Sequence, residues 1–539
     1  MTTETKPPAP APGDASSLSP FRYTTFTVLW IATVVANIGT WMQNAAAGWL
    51  MTGLDPDPFI VSLVQVANAL PMFLFALAGG ALADIVDRRR LLIVIQSTIA
   101  VLVAGFGALV WLGHVTPAIL LAFSFLAGTA AALIAPAWLS IIPQLVPRTD
   151  LQPAVALNGV GINVSRAVGP ALAGLIIVAW GLAAPFWLNA LATLGVIAAL
   201  IWWQPPADGV RRLPAEGFGR AMRAGLRHAR HNPHLRATLI RTAGFTVFAS
   251  AYWALLPLLA RDQVASGPRL YGILLGAIGA GAVAGAFTLP FLQRRFGADM
   301  PALAGTVGTA IAMVMFAFAR QPAVALAASF VAGVSWIAVL SAVNISAQVG
   351  LPSWVRGRGL ALFSTVLFGG LTFGSAIWGK VAALTSLPVA HLAAATGALV
   401  AIPLLWRWKL QTGAGVDFTP SMHWLQPTLS RDIEADRGPV LVTIEYRIDP
   451  ADRIAFVDAV VQLSQERRRN GAFEWGLFED AEEAGRFVET FLLDSWMEHL
   501  RQHERVTQAD RARQETVNRF QMQGAPKVTH LIASDRDEA

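Results

Sequence analysis

Among the polar side chains set into long apolar runs, Arg166 makes the strongest demand on its surroundings. It lies about midway along the stretch 153–180. A guanidinium left in hydrocarbon there costs ~2.5–3.5 kcal/mol, so it must face protein, water or a ligand. Two readings fit it: it holds an anionic catechol, carboxylate or phosphate group, with Asn158 and Asn163 as hydrogen-bond companions, or it bonds the carbonyls of a neighbouring helix. Asn37, Trp41 and Asn44 recur at i, i+4 and i+7, which places two amides and an indole on one helical face. Such a stripe suits a ligand, and it equally suits interhelical hydrogen bonding. Asp84 closes another apolar run, where a carboxylate can meet arginines or a helix N-terminus, and Arg88, Arg89 and Arg90 follow it. His499 and His503, at i and i+4, could hold zinc on one helix face. With no cysteine nearby and no third ligand at an obvious spacing, no metal site is assigned. His228, His231 and His234 read as part of a solvated basic segment. No catalytic set and no cofactor is assigned.

The elements that must position these residues are membrane helices. A chain of 539 residues with 55% hydrophobic and 14% charged side chains and a mean hydropathy of +0.52 cannot be covered by one solvated surface. Its apolar residues form twelve blocks, at roughly 26–51, 60–83, 91–112, 116–138, 153–180, 183–203, 238–260, 270–292, 301–319, 322–346, 359–382 and 387–408. About 20 residues suffice to cross ~30 Å of hydrocarbon. Arginine crowds alternate loops (88–90, 148, 211–236, 294–295 and 356–358), so both termini are expected in the cytoplasm of a multi-pass inner-membrane protein. That topology accounts for the net charge of +6 without a nucleic-acid partner. A shift of 205 residues superimposes Gly80 on Gly285, Arg89 on Arg294, Pro147 on Pro352, Gly169 on Gly374 and Gly174 on Gly379. Two six-helix halves, 21–203 and 238–410, follow from it, after a disordered tail at 1–20 and joined by a basic linker at 204–237. Within that linker, 217–230 could form a basic amphipathic helix on the membrane surface.

The loop Gly80-Ala81-Leu82-Ala83-Asp84-Ile85-Val86-Asp87-Arg88-Arg89-Arg90 resembles the loop signature of the major facilitator superfamily, and Gly161 to Arg166, Gly169, Pro170 and Gly174 resemble its antiporter signature. The loop departs from the pattern at Ile85 and Asp87. Pro136-Ala137-Trp138, Pro143 to Arg148, Ala156-Leu157-Asn158, Arg166 to Pro170 and Gly39 to Gln43 are similar to the enterobactin-exporter-like branch, the transmembrane secretion effector family. The resemblance implies export of a siderophore-like or other amphipathic small molecule, with protons as the coupling ion; the residues leave an importer open. It implies a cytoplasmic gate on the Asp84 side, with Arg88, Arg89, Arg356 and Arg358 as its arginines, although topology alone also explains those arginines. Because the first, fourth, seventh and tenth helices line the cavity in this superfamily, Phe125, Tyr252, Trp253, Trp336 and Asn344 join Asn37, Trp41, Asn44, Asn158 and Arg166 as substrate contacts. No acidic residue lies clearly inside a span, so proton coupling comes with no site. His391 is expected as a partly wet residue near the outer end of the last span, and Trp111, Trp180, Trp202 and Trp203 as interface anchors.

After a linker at 411–438 the composition turns soluble. Strands at 440–446, 473–478 and 486–493, a helix at 450–468, a helix from the Ser495 cap to about 520 and a strand near 530–533 predict a βαββαβ ferredoxin-like domain over 439–539. It resembles the dimeric α+β barrel of antibiotic-biosynthesis monooxygenases. That likeness implies self-association, and it keeps a membrane-anchored, cofactor-free oxygenase as the alternative to a transporter.

Overall fold

The structure, a computed structural model, describes residues 17–204, 226–227, 229–352, 355–411, 419, 421, 424, 434, 437–522 and 524–534. Residues 1–16 of the expected disordered tail, most of the basic linker and its surface helix, and most of the second linker fall outside these residues; the end of the tail is ordered instead, with Ser19–Arg22 forming a 3-10 helix in which Ser19 and Pro20 are buried.

Among the described residues, twelve helices are long and apolar enough to cross a membrane. They are α1 (Thr24–Leu54), α2 (Pro58–Ile85), α3 (Arg88–Trp111), α4 (Pro117–Leu145), α5 (Leu151–Trp180), α6 (Ala184–Trp202), α7 (Pro233–Leu258), α8 (Pro268–Phe296), α9 (Asp299–Phe318), α10 (Pro322–Val349), α11 (Arg356–Leu384) and α12 (Leu387–Leu405). Their starts follow local chemistry. Asp57, Thr116 and Ser386 accept the backbone N–H of Phe59, Ile119 and Val389, each with a proline in the first turn, where its missing N–H costs nothing. A five-residue π turn, Leu259–Gln263, ends α7.

The chain divides into two compact units: Met1–Leu213 with Arg241–Ala342 and Ser364–Arg407, and Pro214–Ile240 with Val343–Phe363 and Trp408–Ala539. In the first unit two apolar clusters differ in what they join. One, containing Leu92, Ile141, Leu145, Leu200 and Trp203, is drawn from the first six helices alone. The other joins both halves, packing Leu50, Met51 and Val61 with Leu255, Leu258, Ala382 and Ala390. Trp203 is buried in the first cluster, unlike the exposed Trp111, Trp180 and Trp202, so it packs where an interface anchor was expected. Ahead of α5, Asp150 accepts hydrogen bonds from Ser19 (2.5 Å) and Tyr23 (2.8 Å), which hold its carboxyl below the usual range and pin the start of α1.

The second unit contains an antiparallel sheet of β1 (Val440–Arg447), β2 (Phe473–Glu479), β3 (Arg486–Leu493) and β4 (Lys527–Ile532) in the order β2-β3-β1-β4. Helix α13 (Arg453–Arg469) lies between β1 and β2 in sequence. Alternating burial along β1 turns Val440, Val442, Ile444 and Tyr446 into a core shared with Phe456, Val460 and Leu463 of α13. The single helix expected after Ser495 is two: α14 (Trp496–Arg505) and α15 (Gln508–Asn518). The break is written at Thr507, whose side chain accepts from the Asp510 N–H while Asp510 accepts from the Thr507 N–H, a capping box that starts a new helix.

A buried polar network crosses this core. Glu489, fully buried on β3, accepts from Tyr446 Oη (3.0 Å), Arg467 Nε (3.2 Å) and Trp475 Nε1 (2.9 Å). Nearby, Glu466 accepts from Arg513 (2.5 Å); burial and then the Asp510 carboxylate push its carboxyl up from 4.5 to about 7 against the pull of Arg469 and Arg513. Two outcomes follow. Glu489→Ala strands the buried Arg467 charge and destabilises the C-terminal domain by ~3–5 kcal/mol, read as its unfolding transition in differential scanning calorimetry. Since the folded pKa of Glu466 is raised, its contribution to stability is complete below about 4.5 and is lost as pH rises through about 7. Glu466→Gln therefore flattens the fall of that transition between pH 5 and 8, removing roughly 3 kcal/mol of pH dependence.

Candidate functional site

Arg166 sits on α5 with its guanidinium carbon 5.2 Å from the Trp41 ring centroid on α1. A cation over an indole face is attracted by the ring quadrupole, more strongly where water is excluded. Its Nε is buried without a hydrogen-bond partner. The Tyr252 side chain of α7 lies near the same guanidinium. From Tyr252 an aromatic chain runs on: Trp253 at 5.4 Å between ring centroids, then Trp336 on α10 at 5.6 Å, edge to face, with Phe245 beside Trp336 at 5.7 Å. The Tyr252 hydroxyl and the indole N–H groups of Trp253 and Trp336 are also buried and unpartnered. An unsatisfied buried donor costs ~1–3 kcal/mol. Three helices thus bring together donor groups that lack a partner by geometry, although Tyr252 and Trp253 are close enough to act on each other.

The expected companions of Arg166 are engaged elsewhere. Asn158 accepts from Trp138 Nε1 (3.1 Å), and Asn163 donates to the Gly159 carbonyl of its own helix (2.9 Å). Asn37 and Asn44 are half-buried on α1, as is Phe125 on α4, which meets Phe75 edge to face at 6.5 Å. Asn344 belongs to the second compact unit, where its Oδ1 accepts from Gln348 (2.6 Å). A buried pair the sequence reading passed over joins α1 to α6: Asn189 donates to Gln43 (2.6 Å). Amides in two otherwise apolar spans were its signal. His391 is fully buried, its Nδ1 2.8 Å from the Leu387 carbonyl and its ring 5.8 Å from Phe316, rather than partly wet.

Of the expected gate residues, Asp84 lies in the last turn of α2, and its side chain is outside what the structure describes. Arg89 donates to the Leu200 (2.8 Å) and Ile201 (2.6 Å) carbonyls, capping α6 within its own half. Arg88 reaches the Ser140 carbonyl (3.5 Å). Arg356, in the second unit with Arg358, donates to Leu351 (3.5 Å). Among the described residues, the acidic ones of the spanning segments lie at their ends, as Asp84, Asp262 and Asp299 do.

Two seams join the halves. Along α5 and α8, Gly279 lies so close to Ala167 that a Cβ would collide with its backbone, and a Cβ on Gly276 would stand 3.2 Å from that of Ala171. Along α2 and α11, Phe73 meets Phe373 at 5.5 Å and Lys380 lies over Phe59 at 5.5 Å. Both seams and the cluster around Met51 lie toward the membrane face that carries Pro58, Trp180 and Lys380. Gly169, whose Cβ would stand 2.6 Å from that of Trp41, lets α1 approach α5 closely enough to place the indole by Arg166.

A family model described as transmembrane secretion effector matches residues 15–538. The enterobactin exporter EntS of Salmonella choleraesuis (strain SC-B67) is 26% identical over 390 residues, covering 70% of this chain and 91% of the exporter. That of Escherichia coli O1:K1 / APEC is 25% identical over 385 residues, covering 70% and 90%. Among solved structures, a bacterial homologue of the human lysosomal transporter Spinster, in an inward-facing, unoccupied conformation, aligns with a TM-score of 0.57 at 14% identity over 71% of this chain and 97% of its own. A variant of the nucleoside transporter NupG aligns with a TM-score of 0.58 at 13% identity over 72% and 99%. These likenesses establish the fold.

The close approach of α5 and α8 is directly testable because the sequence contains no cysteine. Ala171→Cys with Gly276→Cys puts two thiols near the Cβ separation of ~3.5–4.5 Å that a disulfide needs. Mild oxidation is expected to close the bond, so that neither thiol takes up a maleimide-polyethylene glycol until reduced; two thiols that remain reactive after oxidation would contradict this seam.

Proposed function

The chain belongs to the transmembrane secretion effector family of major facilitator transporters, and from that premise we propose that it exports a siderophore-like, oxygen-rich small molecule by alternating access of its two six-helix halves. The observation that carries the reading is the set of unanswered donors around Arg166, with Trp41 on one side and Tyr252, Trp253 and Trp336 on the other. A catecholate or hydroxy-carboxylate supplies both the negative charge and the ring face that such a set receives. The enterobactin exporters among its relatives lend the same direction and substrate class.

On this reading both termini are cytoplasmic, in keeping with the arginine-rich loops, and the cluster around Met51 that joins the halves lies on the outward side. Asp84, with Arg88, Arg89, Arg356 and Arg358, forms the cytoplasmic gate that closes in the opposite state. Asn37, Asn44 and Phe125, half-buried on α1 and α4, complete the substrate path within the first unit. Protons are the coupling ion; with no carboxylate in mid-span, their site is not among the residues named. The domain plan is the one given by composition: bundles at 21–203 and 238–410 and a cytoplasmic domain at 439–539.

For that last domain we read a ferredoxin-like unit of the monooxygenase-like type, supported by the fully antiparallel order β4-β1-β3-β2 with α13 between β1 and β2. It serves self-association rather than catalysis. The sheet face opposite its helices exposes Phe478 and Leu531 and half-exposes Leu441 and Leu492, an apolar face of the kind that pairs with a second copy.

Accumulation of catecholate siderophores and lipophilic anions in everted membrane vesicles tests the function. Uptake driven by a proton gradient is expected in the parent. Arg166→Ala should reduce it by about tenfold or more, since charge-assisted hydrogen bonds contribute ~1.5–3 kcal/mol, and Asp84→Asn should slow it with binding retained. No uptake of any compound, gradient or not, would remove the export reading.

A further inference from the structure

The sequence offered two histidines one helical turn apart and no third ligand. The fold supplies the third from the last strand. His499 and His503 lie on α14, and His530 sits on β4, opposite Val442 of the central strand β1. Nitrogen atoms of the three imidazoles all lie within 4.8 Å of one another. The His499 ring centroid is 4.7 Å from that of His503 and 4.6 Å from that of His530. His499 is 2% exposed, and neither of its ring nitrogens has a hydrogen-bond partner.

An imidazole buried with both nitrogens unanswered is costly, and a hydrogen-bonded core histidine would not look like this. Three imidazoles that converge, with no carboxylate in the cluster among the described residues, are instead a ligand set for a borderline-soft cation. We propose that His499, His503 and His530 bind one divalent transition-metal ion, zinc, through one nitrogen each.

Tetrahedral zinc with bonds of about 2.0–2.1 Å holds its ligand nitrogens about 3.3 Å apart, so the present cluster contracts by roughly 1.5 Å or less on binding. Ring rotations provide this, because both elements are independently anchored. The Trp496 N–H donates to the Arg437 carbonyl (2.8 Å), the Ser495 side chain caps α14, and β4 is held in register on β1. The ion ties α14 to an edge strand and leaves its fourth position for water. Hard cations such as calcium and magnesium, which take oxygen ligands, are excluded by the all-nitrogen set.

The test uses the full chain, purified in detergent with a tag free of histidine, stripped with chelator, equilibrated with zinc and analysed by elemental mass spectrometry and chromophoric chelator competition. One zinc per chain is expected, with His499→Ala, His503→Gln and His530→Gln each weakening it by about 100-fold or more and His231→Ala, outside the cluster, leaving it unchanged. Cobalt in place of zinc should give the visible d–d bands of a tetrahedral nitrogen site, lost in the same three variants. His503 and His530 are only half-buried, so their glutamine variants are expected to melt with the metal-free parent and to remain informative where His499→Ala fails to fold. A parent that binds no zinc, or binding that survives His503→Gln and His530→Gln, would overturn the site.

Discussion

A permanently charged guanidinium placed midway along a membrane helix is the constraint from which the arrangement of the bundle follows. Hydrocarbon cannot solvate Arg166, and among the described residues no acidic side chain occurs in the spanning helices away from their ends. Its charge is met by π density and dipoles: the Trp41 face at 5.2 Å and the Tyr252 phenol. For that to work α1 must lie hard against α5, which Gly169 permits by removing the side chain where Trp41 approaches. Tyr252 brings in the second half, so a single charge in the first half is read by aromatic residues of both.

On the proposed reading, neutralising Arg166 with a carboxylate would have given a stronger resting interaction and a weaker receptor. A built-in counter-ion competes with any anionic ligand, whereas a cation over an indole keeps most of its hydrogen-bonding capacity for an incoming oxygen. The unpaired donors of Trp253, Trp336 and Tyr252 extend the same logic along the seam between halves. A ligand that pairs with donors from both halves stabilises whichever arrangement brings them together, and this is how binding energy biases a rocking equilibrium. The cluster packed through Met51, Leu255 and Ala390 joins the halves, and the one around Leu92 and Ile141 belongs to the first half alone, so the first is the packing on which such an equilibrium acts.

Much of this was legible in the sequence because membrane physics writes in long words. Twelve long apolar blocks, a 205-residue repeat and an arginine at mid-span are each signals spread over, or unmistakable within, a span. What failed to show was partner identity. Asn158 and Asn163 share a helix with Arg166, yet one accepts from Trp138 and the other bonds its own backbone, since helical proximity in sequence does not decide which neighbour a side chain meets. The Gln43–Asn189 bond spans 146 positions and has no local signature. In the C-terminal domain the strands were readable by alternation, but the break at Thr507 needed its capping box with Asp510 to be recognised inside an apparently continuous helical pattern. His530 is 27 residues beyond His503 in sequence, and only the pairing of β4 with β1 brings it beside α14.

The measurement that bears most directly on the central claim is equilibrium binding of one catecholate ligand and its neutral, O-methylated analogue to the purified protein, comparing the parent with Arg166→Met. If the guanidinium receives the ligand's negative charge, the variant loses affinity for the catecholate by about tenfold or more and leaves the methylated analogue nearly unchanged. Equal losses for both ligands, or no loss for either, would mean that Arg166 only holds the helices together.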